Sequence, residues 1–207
     1  FFKGKSIEKK DWPRIVLCSF LGMSINMLAF FKGLELSTPV NSSVLITLAP
    51  ILVFIFSALI LKEKIRTMKA VGIIAGFIGA LILILYTAKS GMNAPNIPLG
   101  NSLFILNSAS YGLYLVLIKP MIEKYDIITL LKWLFTIGLI INLPITYNGF
   151  ININFVALPF YDAILPILYV IVGTTFFTYL LNAYALKNLT ASSVSSFIYL
   201  QPIVGIV

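Results

Sequence analysis

The chain has 207 residues, 59% of them hydrophobic and 11% charged, with a formal net charge of +8. A mean hydropathy of +1.01 is too high for a water-soluble domain, in which roughly a quarter of the residues are charged. With one cysteine and no histidine, an internal disulfide, Cys/His zinc sites and imidazole chemistry are excluded, and neither a metal nor a cofactor is expected.

The apolar residues fall into seven blocks, at about 15–31, 40–61, 70–87, 99–118, 127–147, 163–186 and 191–207. Each is near the roughly 20 residues that a helix needs to cross a bilayer. An all-α, polytopic membrane helix bundle is therefore expected. The first block holds Cys18, a small apolar residue in this setting, and Asn26, one turn beyond Gly22. The second holds Ser43, Thr47 and Pro50 on one face and ends at Lys62 and Glu63. The third carries Gly72, Gly76 and Gly79, a small-residue stripe for close helix approach, either within the bundle or at a homodimer contact.

The fourth block places Asn107, Ser110, Tyr111 and Tyr114 at i, i+3, i+4 and i+7, which is one helical face. The fifth is apolar, with Lys132 near its inner end, where it can snorkel. The sixth repeats the polar spacing with Thr175, Thr178, Tyr179 and Asn182, and the seventh with Ser192, Ser195, Ser196 and Tyr199. A polar group facing lipid is costly, so these faces are expected to meet around a shared cavity. The candidate substrate-binding residues are Asn26, Ser43, Thr47, Asn107, Ser110, Tyr111, Tyr114, Thr175, Thr178, Tyr179, Asn182, Ser195, Ser196 and Tyr199. Serine and threonine compete for a blander role, bonding back to their own helix or to a neighbour. Asparagine, with four hydrogen-bonding sites to fill, is harder to dismiss.

Threading seven spans alternates the connections between two sides. One side collects Lys3, Lys5, Lys9, Lys10, Arg14, Lys62, Lys64, Arg66, Lys69, Lys119, Lys124, Lys132 and Lys187, and the other only Lys32 and Lys89. This bias places residues 1–14 in the cytoplasm. The basic charge orients the chain in its membrane and is not a nucleic-acid surface.

Shifting the chain by 152 residues lays Leu34, Thr38, Ser43, Ile46, Leu48, Pro50 and Ile51 on Leu186, Thr190, Ser195, Ile198, Leu200, Pro202 and Ile203. Block one then pairs with block six and block two with block seven, a period of five helices. An odd period means that the second copy is inserted upside down, the inverted repeat used by many secondary transporters. The chain starts at Phe1 without a methionine and ends at Val207 inside an apolar run, so a piece of a longer polypeptide is expected. Completing both copies calls for two helices before residue 1 and one after residue 207, a ten-helix parent.

The stretch Gly33–Thr38 through Leu48, Ala49 and Pro50 to Leu61–Lys64 resembles the first EamA repeat of the drug/metabolite transporter superfamily. In that family a short turn leads into a helix with a mid-membrane proline that closes on a cytoplasmic Gly-Glu; here Lys62 stands where the glycine is usual. Gly72–Gly79 is similar to the glycine-rich fifth helix. Ala185–Thr190 to Tyr199–Pro202 is similar to the turn and helix of the second repeat, with Gln201-Pro202 where Glu-Pro is frequent. The resemblance implies that residues 1–97 are the C-terminal part of the first repeat and 98–207 the N-terminal part of the second. It also implies a carrier of small metabolites such as amino acids or drug-like compounds, acting as an exporter in a bacterial inner membrane.

No Asp, Glu or Arg lies deep in any block, which points to a neutral or zwitterionic substrate and weak or absent proton coupling. The expected partners are the lipid bilayer and a small-molecule substrate, with no nucleic acid. An enzyme is not expected, because neither an HExxH motif nor paired deep carboxylates are present. The alternative is a helical receptor or scaffold without transport activity, which would not need polar faces on four helices at one depth.

Overall fold

In the computed structural model, residues 6–64, 66–87, 94–154 and 158–200 are described. They form seven helical segments in chain order: α1 (Lys9–Leu36), α2 (Pro39–Ile60), α3 (Thr67–Thr87), α4 (Ile97–Lys124), α5 (Ile127–Ile151), α6 (Phe160–Asn188) and α7 (Ala191–Leu200). Of these, α1, α2, α4, α5 and α6 are long and apolar enough to cross a membrane. Lys89, Gln201 and Pro202 lie outside the described residues.

The helix ends follow from local chemistry. Thr38, Asn96, Asp126 and Thr190 each accept a backbone N–H in the first turn of the following helix, which satisfies one of the donors that a helix start leaves open. Pro39 and Ile97-Pro98 start α2 and α4, where a missing N–H does no harm. Helix α2 stops at Lys62, whose φ of 54° is left-handed. The turn brings the Glu63 N–H back to the Ser57 carbonyl at 3.2 Å. Glycine enters this region freely and other residues do so at a cost, so the lysine here carries a strain that a glycine would not.

Pro50 interrupts α2 as its lack of an N–H requires. The helix opens at Thr47 and Leu48, where the backbone tightens to i→i+3 bonds, Thr47 N–H to Val44 O and Leu48 N–H to Leu45 O, both at 3.2 Å. The Leu45 carbonyl also accepts Ser108 Oγ at 3.1 Å, so α4 fills part of what the break exposes.

The 152-residue offset recurs in the backbone. Leu36 and Asn188 end α1 and α6, and Pro39 and Ala191 begin α2 and α7. The capping threonines Thr38 and Thr190 correspond, and the 3-10 turn Phe197–Leu200 falls on Leu45–Leu48, where α2 opens. A π-helical turn at Phe20–Ile25 in α1 is matched by one at Val170–Phe177 in α6.

The copies are inverted. The end of α1 lies beside the start of α4, with Asn96 N–H on Leu36 O at 2.9 Å. The equivalent end of α6 lies at the other face, where Lys119 Nζ donates to Leu186 O. That second face also gathers Glu8, Asp11 and Lys124 in one ion cluster and Glu63 with Lys69 in another. It is called the basic face below.

Small residues bring α1, α4 and α5 together. A methyl group on Gly100 would stand 2.5 Å from Ser37 Cβ and 3.0 Å from the Gly33 carbonyl, one on Gly22 would stand 2.6 Å from the Tyr114 ring, and one on Gly138 2.7 Å from Met23 Cβ. Among the described residues, only Gly76 in the expected stripe of α3 makes such an approach, to the Tyr199 ring at 2.6 Å, while Gly72 and Gly79 have nothing within 4 Å. The buried core runs through the half of the bundle nearer the basic face and includes Ile15, Cys18, Leu115, Ile122, Leu130, Leu134 and Leu186.

Candidate functional site

A cavity of about 590 Å³ opens between α1, α2 and α4 on one side and α6 and α7 on the other. Helix α1 contributes Asn26, Met27, Phe30 and Phe31, and α2 contributes Ile46 and Ala49 beside its break. Helix α4 adds Asn107, Ser108 and Tyr111. Helix α6 supplies Val170, Thr174, Thr175, Thr178, Tyr179 and Asn182, and α7 supplies Val194, Ser195, Phe197 and Ile198. None of these residues is ionisable near neutral pH.

Two asparagines bridge α1 and α4 at the wall. Asn26 Nδ2 donates to the Asn107 carbonyl at 3.3 Å, and Asn107 Nδ2 donates to the Asn26 carbonyl at 2.8 Å. Both amide groups are thereby committed to backbone, which fixes the side-chain orientation and leaves each Oδ1 as an acceptor. At the floor Asn182 Nδ2 donates to Tyr111 Oη at 3.0 Å, so the Tyr111 hydroxyl proton is left to donate elsewhere. Tyr179 donates to the Gly22 carbonyl at 2.6 Å, and its ring lies 5.5 Å from that of Phe135 and 5.9 Å from that of Tyr114.

The π turn of α1 explains the Tyr179 contact. Widening a helix to i→i+5 bonding disturbs the regular pairing of its carbonyls, and such turns are frequent at functional sites. Here the Gly22 carbonyl meets Tyr179, and the Met23 carbonyl accepts Asn142 Nδ2 at 3.2 Å. Asn142, on α5, carries no spacing signal in the sequence and was not among the candidates.

Eight of the fourteen sequence candidates line the cavity: Asn26, Asn107, Tyr111, Thr175, Thr178, Tyr179, Asn182 and Ser195. Six do not. Ser43 Oγ donates to Pro39 O, Thr47 Oγ1 to Val44 O, Ser110 Oγ to Asn107 O and Ser196 Oγ to Ser193 O, each bonding back into its own helix. Tyr114 is buried against Gly22. Tyr199 packs on Gly76 and, with Ser196, lines a separate cavity of about 370 Å³ between α3 and α7. Among the lining residues absent from the candidates, Thr174 has a clear cause. Strict α-helical spacing selects Thr175 and passes over its neighbour, whereas the wider π turn at Val170–Phe177 brings both to the wall.

Residues 1–85 and 98–207 match the family model described as the EamA-like transporter family. A protein of Archaeoglobus fulgidus named as an uncharacterized transporter is 30% identical over 203 residues, covering 98% of this chain and 70% of that protein. A second from the same organism is 25% identical, covering 93% of this chain and 65% of its own length. The uncharacterized transporter YoaV of Bacillus subtilis is 25% identical over 210 residues, covering 99% and 68%. A solved crystal structure has the same fold, with a TM-score of 0.74 at 17% identity, covering 93% of this chain and 64% of that one. The chain thus spans about two thirds of the length of the proteins it matches.

Proposed function

The chain belongs to the EamA-like transporter family, and on that premise we propose that it is part of a secondary transporter of small organic metabolites, such as amino acids or drug-like compounds. The observation that carries this is the cavity between the α1–α2–α4 group and the α6–α7 pair, lined by three asparagines, hydroxyl groups and aromatic rings and by no charge. Uncharged walls favour a solute that is neutral or zwitterionic over one with a net charge. The phenyl groups of Phe30, Phe31 and Phe197 suit its apolar part, and the carboxamide oxygens of Asn26 and Asn107 suit its N–H or O–H donors.

Alternating access between inverted repeats is the mechanism this architecture supports. The division of the chain at 97/98, the ten-helix parent, export as the direction and the bacterial inner membrane with its basic face to the cytoplasm belong to the same proposal. Uptake or counterflow of a panel of amino acids and related uncharged metabolites into proteoliposomes bearing the full-length protein tests it. Accumulation above protein-free vesicles is the expected result. No accumulation of any panel member, with correctly inserted protein, would leave a non-transporting scaffold as the better reading.

A further inference from the structure

We propose that Glu63 is a latch that seals the cavity on the basic face by holding the first turn of α7, and that the latch must open before the cavity can reach that side. The proposal rests on the transport reading and adds the part that closes one of its two entrances.

The latch is built from both copies. Glu63 follows the left-handed Lys62 at the end of α2, and its carboxylate accepts Ser192 Oγ, on the first turn of α7, at 2.7 Å. Lys69, at the start of α3, lies 3.5 Å from the same carboxylate and donates to Thr190 Oγ1 at 2.8 Å. Thr190 is the cap of α7, so both ends of the tie grip the same helix start. Ser192 is fully buried, and the Glu63 and Lys69 side chains are only 19% and 26% exposed. A charge-assisted bond so sheltered from water is stronger than a surface pair.

Its position fits a gate. Among the described residues, five hydrogen bonds join α6, α7 or the cap of α7 to the rest of the bundle: Tyr179, Asn182 and Ser192 donate, and the Leu186 carbonyl and Thr190 Oγ1 accept. All lie at the cavity or between it and the basic face. The outer half of α6 is largely exposed. Among the described residues, the hydrogen bonds of the α6–α7 pair to the remainder thus all lie toward one end, and Ser192 lies one turn below cavity-lining Ser195. At the opposite face the counterpart of Ser192 is Val40, which has no hydroxyl for a mirror-image bond.

The test reads access rather than transport. In the full-length protein with every native cysteine, Cys18 included, replaced by serine, Thr178→Cys places a thiol on the cavity wall, and its reaction with a membrane-impermeant reagent is timed from each side of oriented vesicles. Glu63→Ala or Ser192→Ala should raise the rate from the basic side by about tenfold, the population shift that loss of one charge-assisted bond produces. The rate from the other side should fall, and the double variant should match the singles, since all remove one tie. Unchanged rates in variants inserted at native levels would overturn the proposal, as would fully additive effects. Should Glu63→Ala fail to insert, the milder Ser192→Ala decides alone. No solute is needed, so the latch can fail while uptake stands, and uptake can fail while the latch stands.

Discussion

Asn26 and Asn107 hold each other across the α1–α4 interface, each side-chain amide donating to the other's backbone carbonyl at 3.3 and 2.8 Å. Removing either side chain takes the donor from the partner's backbone carbonyl, while the partner's amide keeps its bond to the carbonyl that the substituted residue retains. Asn107→Ala should lower thermal stability by about 1–2 kcal/mol, the upper range for interhelical hydrogen bonds in membranes. Asn26→Ala should cost a similar amount, and the double variant about the sum of the two, since each substitution removes a separate bond. Thermal unfolding in detergent of all four proteins measures this, and single variants as stable as the native protein would contradict the pairing.

The close approach of α1 and α4 at Gly33 and Gly100 gives a sharper contrast. A methyl group on Gly100 meets Ser37 Cβ and backbone, none of which can swing away, whereas one on Gly72 or Gly79 meets nothing. Gly100→Ala should therefore destabilise by about 1–3 kcal/mol through overpacking, and Gly72→Ala and Gly79→Ala should change unfolding little. Equal effects at the three positions would show that the α1–α4 contact is looser than its geometry.

Lys62 stands in the left-handed region with φ 54°. Lys62→Gly should stabilise the protein by about 1 kcal/mol, since glycine enters that region without the side-chain clash. Thermal unfolding against the native chain measures it, and a loss of stability would mean that the lysine side chain makes a contact worth more than the strain.

At the chain's first turn the Glu8 carboxyl is held below the usual glutamate range, first by a hydrogen bond from Lys124 and then by one from Lys10. The same Lys124 binds Asp11, and the Tyr125 hydroxyl also donates to Asp11 at 2.5 Å. A carboxyl with a depressed folded pKa contributes its stability above its unfolded value, near 4.3, and loses it as pH falls through the folded value. Amide exchange around residues 6–11 should thus be slow at pH 7 and accelerate, relative to the intrinsic rate, below about pH 4. Lys124→Met should bring fast exchange to neutral pH as well.

Much of this architecture is legible in the sequence because the bilayer imposes it. Seven apolar blocks reappear as seven helices, the seventh described as far as Leu200, Pro50 opens α2, and the pairing of Thr38 with Thr190 reappears as two equivalent helix caps. The asparagines Asn26, Asn107 and Asn182 all reach the cavity wall, as their demand for partners would have it. The serines were less legible. Ser43, Ser110 and Ser196 satisfy themselves on carbonyls three or four residues back, a choice that spacing does not reveal. The π turns were invisible, since hydropathy patterns assume one helical period, and they decide why Thr174 joins Thr175 and why Tyr179 finds Gly22. Spacing also selects a glycine stripe without revealing which members are in contact: among the described residues Gly22, Gly33, Gly76, Gly100 and Gly138 meet neighbours, while Gly72 and Gly79 do not.

The central claim, that this cavity holds the solute that moves, is tested most directly by counterflow in proteoliposomes with the native full-length protein and with Asn182→Ala at matched insertion. Among the described residues, the Asn182 side chain bonds only Tyr111, across the cavity floor, and it lies away from the asparagine pair that supports the fold. Loss of one polar contact to the solute should raise the half-saturating concentration about fivefold to tenfold and leave thermal stability within about 1 kcal/mol. Native counterflow by the variant at every solute concentration would contradict the assignment of the cavity.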